Sequence, residues 1–120
     1  MSEEVDLSQT PGHIRVAPAA IAGVAHAAVL QCYGVVGIAA KRLKGGRAQV
    51  LDESDYERGI VVKMEDGAVV LDVYVVVEYG TRISEVAHNI INAVGGAVRR
   101  TLGDVPIQVN VNVQGLRISA

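Results

Sequence analysis

"IVVKMEDGAVVLDVYVVVEYG", residues 60–80, holds the strongest local signal in the chain. Asp66-Gly67 is a two-residue hairpin dipeptide: both central positions of the tight turn require positive φ, which Asp tolerates and Gly adopts freely. If these two residues form the loop, Glu65 faces Ala68, Met64 faces Val69, Val62 faces Leu71 and Ile60 faces Val73. Every core-side pair is then apolar on both strands, a check independent of the turn itself. The second strand continues through Val75, Val77 and Tyr79 to a stop at Gly80. Its reverse side reads Val70, Asp72, Tyr74, Val76, Glu78, which is half apolar.

Toward the C-terminus, Ile83, Val86, Ala87, Ile90, Val94, Val98 and Leu102 recur at helical spacing and predict a long helix from about residue 82 to 102. Thr81 or Ser84 can cap it, Glu85 suits its first turn, Arg99 and Arg100 suit its last, and Gly103-Asp104 closes it. A strand follows from Val105, and strand, helix and strand over 69–114 predict a right-handed crossover. In that last strand, "PIQVNVNVQG" (106–115) alternates Ile107, Val109, Val111 and Val113 with Gln108, Asn110, Asn112 and Gln114. A face that meets only water usually carries Lys, Glu or Thr. Two readings stand for the amides: a wetted sheet face, or a contact face. Amides exchange hydrogen bonds with a backbone, or with their own symmetry mates, without burying charge.

Toward the N-terminus, residues 41–58 form the one strongly charged stretch, basic first (Lys41, Arg42, Lys44, Arg47) and then acidic (Asp52, Glu53, Asp55, Glu57). Residues 35–39 predict a short strand. Residues 18–31 predict a helix with Pro18 in its first turn and an apolar stripe of Ile21, Val24, Ala25, Ala28 and Val29, stopped at Gly34. His13 to Val16 predict another short strand, and polar residues 1–11 a mobile, disordered N-terminal tail. The sum is an α+β fold of order β-α-β-β-β-α-β. Two helices pack on one face of a mainly antiparallel sheet, leaving the other face open, in a single domain over residues 12–120.

At 120 residues the chain can bury roughly two-thirds of its unfolded surface. With no Phe or Trp and four Tyr, the core must be built from Val, Ile, Leu and Ala. A net charge of −2 leaves no electrostatic footprint for nucleic acid or an anionic membrane. The lone Cys32 suits a reducing cytoplasm. The acidic start lacks a signal pattern, and the apolar stretch over 17–40 is broken by His26, Gln31 and Tyr33-Gly34, so no membrane span is expected.

Four ordered segments resemble one family. Gly12-His-Ile-Arg-Val-Ala-Pro with an Ala-rich helix and Gly34-Val-Val-Gly comes first. "VVLDVYVVVEYG" (69–80), "ISEVAHNI" (83–90) and "VNVNVQGLRI" (109–118) follow. Over residues 12–118 the chain is similar to the bacterial alkaline-shock, or envelope-stress-response, proteins. It departs from the pattern at Tyr33, where an acidic residue is common, at Ser84, where proline is frequent, and at Gly95-Gly96, in a helix usually richer in charge. The resemblance implies a non-catalytic cytoplasmic protein linked to cell-envelope stress. It also implies recruitment of some members to the membrane by a small anchoring partner, and a link of others to fatty-acid metabolism.

The residues themselves give no catalytic, metal or cofactor assignment. His13, His26 and His88 lie on different elements without paired-ligand spacing, and Cys32 reads as a buried thiol rather than a nucleophile. Gly45-Gly46 reads as a flexible loop. Gly95-Gly96, inside a helix, calls for close approach of another backbone, either the first helix near Gly23 and Ala27 or a helix of a second copy. Asp72 and Glu78 stand roughly 20 Å apart on one strand face, too far to act on one bond. Lys63 lies diagonal to Asp72, as a surface ion pair would, and the basic and acidic halves of 41–58 are expected to compensate each other. The expectation is a self-associating interaction module whose surface is Tyr74, Val76, Gln108, Asn110 and Asn112. An RNA-binding module is the alternative, although nucleic acid is disfavoured by the charge and by the lack of stacking aromatic pairs.

Overall fold

The predicted hairpin is where the fold can be checked residue by residue. A computed structural model describes residues 4–6 and 14–118. In it β4 (Ile60–Glu65) and β5 (Ala68–Glu78) pair antiparallel in the expected register, from Glu65 opposite Ala68 to Ile60 opposite Val73. Asp66 and Gly67 both take positive φ, 50° and 79°, as the two-residue turn demands.

The remaining elements arrange themselves around β5. Along one edge it pairs with β4 and, further on, with β3 (Val35–Ile38), also antiparallel, across a register shift near Gly37. Along its other edge it pairs in parallel with β6 (Ile107–Arg117), from Val69 opposite Ile107 to Glu78 opposite Arg117. The helix α1 (Pro18–Leu30) lies on β3 and β4, and α2 (Ile83–Leu102) lies on β6 and against α1. Both helices cover the same side. Val69, Leu71, Val73, Val75 and Val77 are buried beneath them with Ile21, Ala25, Val29, Val86, Ile90, Val94 and Val98. The expected α+β architecture and element order are present.

Two features add to that order. Val5–Asp6 (β1) pairs antiparallel with Arg15–Val16 (β2) as a separate two-stranded sheet, and Val5 is buried in the core. These two residues therefore depart from the mobile tail expected over 1–11. A single Val between acidic neighbours carries too little pattern to mark a strand. His13, Pro11 and Gly12 lie outside the described residues. Glu53–Arg58 form a 3-10 helix, reading the acidic half of the charged stretch as structure rather than loop. The cap of α2 also differs: Arg82 holds the N-cap position without a side-chain bond, and Thr81 instead donates its hydroxyl to the Glu78 carbonyl at 2.7 Å.

Candidate interaction face

Because strand side chains alternate, burying the odd residues of β5 sends its even residues to the other side of the sheet. Val109, Val111 and Val113 of β6 pack against the same core, so the amides follow the even residues of β5. On that face Lys63 Nζ lies 3.6 Å from Glu65 and 4.0 Å from Asp72. Asn110 Nδ2 donates to Asp72 Oδ1 at 3.0 Å, and Gln108 Nε2 donates to Asn110 Oδ1 at 3.1 Å. Asn112 Nδ2 points to the Val73 carbonyl at 3.4 Å. An amide both donates and accepts, so a row of them can be linked sideways where a row of like charges would repel. The Lys63 pairs are solvated and hold the face together only weakly.

The amide row has a fourth member with a different task. Residues 39–51 leave β3 as a hairpin arm: Ala39 pairs with Val50, Lys44 with Arg47, and Gly45-Gly46 turn the tip with φ of 59° and 75°. Gln114 Nε2 clasps its base, donating to the carbonyls of Ala40 at 3.2 Å and Lys41 at 2.7 Å. The arm lies close because glycines flank Val76 on both neighbouring strands, Gly37 on β3 and Gly115 on β6. A Cβ on Gly37 would meet Val50 at 2.9 Å, and one on Gly115 would meet Ala48 at 2.9 Å.

This arm corrects the expected surface at one position. Val76 is only 2% exposed, so it cannot meet a partner. Tyr74, Asn110 and Asn112 are half-buried and Gln108 is exposed, and these four share the face beyond the arm with Asp72. The signal for the arm was present in Gly37 and Gly115, since glycine inside a strand marks close approach of other backbone.

Other candidate chemistry separates in space. His26 on α1 stacks on Tyr56 of the 3-10 helix, ring centroids 4.3 Å apart and 14° from parallel. His88 is exposed on α2. Cys32 closes α1, its thiol directed at the carbonyls of Ala28 (3.5 Å) and Asn89 (3.8 Å), and burial pushes its pKa up. It lines a groove of about 580 Å³ between the helices with Val24, Ala28, Ala93, Ala97 and Arg100. Among the described residues no three His, Cys, Asp or Glu side chains gather as a metal site would require. The two halves of the charged stretch do not pair: Lys41, Arg42, Lys44 and Arg47 make no salt bridge among the described residues, and Asp55 pairs with Arg58 at 3.2 Å. Gly95 is not pressed by α1 either. A Cβ there would meet nothing within 4 Å, and one on Gly96 only the Arg100 side chain at 3.4 Å.

No helix among the described residues is long and apolar enough to cross a membrane. Comparison with known proteins adds the ancestry. The uncharacterised protein YloU of Bacillus subtilis is 39% identical over 116 residues, 96% of this chain and 97% of that protein. The uncharacterised protein Spy1614 of Streptococcus pyogenes serotype M6 is 35% identical, covering 95% of each. Among solved structures, a nickel form of MamM CTD matches with a TM-score of 0.46 and 16% identity over 85% of this chain and 99% of that one, a likeness of fold alone. The family model for alkaline-shock proteins, described by a cell envelope-related function, matches residues 6–118. With the family model covering residues 6–118 and both curated relatives matching nearly end to end, the chain belongs to the alkaline-shock protein family, a family of cell envelope-related function.

Proposed function

We propose that this chain is a non-catalytic, self-associating interaction module of the cell-envelope stress response, acting in the cytoplasm and docking a protein partner on its open sheet face. The observation that carries this reading is the asymmetry of the sheet. Two helices seal one side, while on the other Tyr74, Gln108, Asn110 and Asn112 lie beyond the arm with no layer over them among the described residues. A half-buried tyrosine beside neutral amides offers apolar area and hydrogen bonds without a charge to desolvate, which suits a protein surface. A small membrane-anchoring protein is one such partner; a link to lipid metabolism would be reached through another.

Tyr74→Lys tests the face while leaving the edge of β6 untouched. Tagged wild-type and variant chains are compared by capture from native cytosol and mass spectrometry. The reading expects a specific protein retained by the wild type and lost by the variant; an identical set on both would remove the face. A second reading, an RNA-binding module, rests on the cations of the arm, which form no salt bridge among the described residues. It requires a mobility shift with structured RNA that weakens with salt and vanishes when Lys41, Arg42, Lys44 and Arg47 become Gln.

A further inference from the structure

The two edges of the sheet are protected very differently. One is divided between β3 and β4, both short, with a register shift in the first and Lys63 in the second. The other is β6, eleven residues long, with no charged side chain from Ile107 to Leu116 and no strand beyond it among the described residues; its own register shift falls at Gln114, past the regular run from Ile107 to Val113. Long uncharged edges template further pairing, and natural proteins guard against this with Lys, Pro, bulges or shortness.

Which backbone groups face outward follows from the ladder. Val69 donates its N–H to the Pro106 carbonyl, and the parallel register steps onward from there. In a parallel ladder alternate residues turn both backbone groups to the same neighbour. Gln108, Asn110 and Asn112 therefore spend theirs on β5, while Val109, Val111 and Val113 turn N–H and C=O outward.

The sequence of the same strand is a palindrome. Residues 108–114 read Gln-Val-Asn-Val-Asn-Val-Gln in both directions, centred on Val111. We propose that β6 pairs antiparallel with β6 of a second copy about a twofold axis at Val111, joining two four-stranded sheets into one. The inference rests on the self-association proposed above and specifies its geometry. In this register Val111 faces its own copy, Val109 faces Val113 and Asn110 faces Asn112, while Gln108 comes opposite Gln114, the residue at the β6 register shift whose amide stays on the Ala40 and Lys41 carbonyls. Apolar side chains meet apolar ones and amides meet amides. The outward-turned residues are the ones that fall in hydrogen-bonded pairs, each pair exchanging two N–H···O=C bonds. The palindrome alone places the centre at Val111, and the backbone parity, an independent property, is compatible with that centre.

The helices can accommodate the join. Val94 and Val98 face the sheet and Ala93 and Ala97 the groove toward α1, so at 100° per residue Ile91 and Gly95 lie on the opposite flank, the side of β6. Two copies of α2 become neighbours across the axis, and Gly95 meets nothing of its own chain.

The test uses the full chain. Sedimentation across a wide concentration range is expected to show a reversible dimer for the wild type. Val111→Pro deletes an outward N–H that β5 does not use, and is expected to raise the dissociation constant by at least about tenfold. Asn110→Lys with Asn112→Lys sets like charges face to face and is expected to do the same, whereas Asn110→Lys with Asn112→Glu sets opposite charges there and is expected to restore dimerisation. On a Cys32→Ser background, a mixture of Asn110→Cys and Asn112→Cys chains is expected to form a disulfide across a pair about 4.5 Å apart between Cα atoms. Either chain alone, with its cysteines about 7–8 Å apart on the diagonal, is expected to stay uncrosslinked. A wild type that stays monomeric throughout would overturn self-association itself. An oligomer that survives both Val111→Pro and the double-Lys variant, or a crosslink that forms equally within single variants, would overturn the β6 pairing and leave self-association standing.

Discussion

Gly115→Ala probes how the arm is seated on the sheet. Gly115 does not sit at positive φ, so alanine costs little in backbone conformation, and the penalty comes from the new methyl. That methyl would stand 2.9 Å from Ala48 Cβ, where two carbons in contact prefer 3.5–4.0 Å. Either the arm lifts by most of an ångström, stretching the Gln114 clasp on Ala40 and Lys41, or β6 shifts against β5. Overpacking of this kind costs about 1–3 kcal/mol. For a domain of this length each kcal/mol corresponds to roughly 3–5 °C in Tm, so a fall of about 3–15 °C is expected. Ala48→Gly removes the opposing methyl and should itself cost up to about 1 kcal/mol. The double variant should then be less destabilised than the sum of the two by about 1 kcal/mol or more, since residues in contact couple while separated ones add within about 0.5 kcal/mol. Urea unfolding of the four proteins closes the cycle. Additivity within that margin would refute direct seating of Ala48 on Gly115.

Gly67→Ala places a side chain at φ 79° with nothing within 4 Å to clash; stability should fall by about 1 kcal/mol, read by denaturant midpoint, from backbone conformation alone. Gly95→Ala also meets nothing within 4 Å but lies inside α2, so the isolated chain should gain up to about 1 kcal/mol from helix propensity. Burial raises the Cys32 pKa, so the unfolded chain ionises this thiol at lower pH than the folded one. The stabilisation it provides is complete below the unfolded pKa and is lost as pH rises through the folded value, and alkylation in the folded protein should accelerate at higher pH than in the urea-unfolded chain. Removing the ammonium in Lys63→Met should change stability by less than about 1 kcal/mol, because both of its ion pairs are solvated.

Much of the fold is legible in the sequence because its signals are local. Asp66-Gly67 states a turn type, the turn imposes a register, and the register is verified by the apolar pairs it creates. The helical spacing from Val86 to Leu102 and the odd parity of Val109 to Val113 are equally self-contained. What escaped depends on contacts between segments far apart in sequence. Val76 reads as an exposed valine on a half-polar face until residues 48–50 are seen lying on it. The amide of Gln114 looks like its three predecessors, yet it clasps backbone seventy-odd residues earlier. The charges over 41–58 suggest mutual compensation by proximity in sequence, but one half forms a protruding hairpin and the other a 3-10 helix packed on α1, which separates them. For Gly95-Gly96 both readings needed a second backbone; the fold shows that α1 does not supply it.

The proposed pairing makes β6 a free edge whose outward groups await a second copy, and amide hydrogen exchange of β6 measures that directly. Asn110 and Asn112, bonded to β5, should be protected at every protein concentration. Val109, Val111 and Val113 should exchange rapidly in dilute protein and become protected as concentration rises through the dimerisation range. Rapid exchange of the three valine amides at all concentrations, or full protection of them already in the dilute monomer, would contradict it.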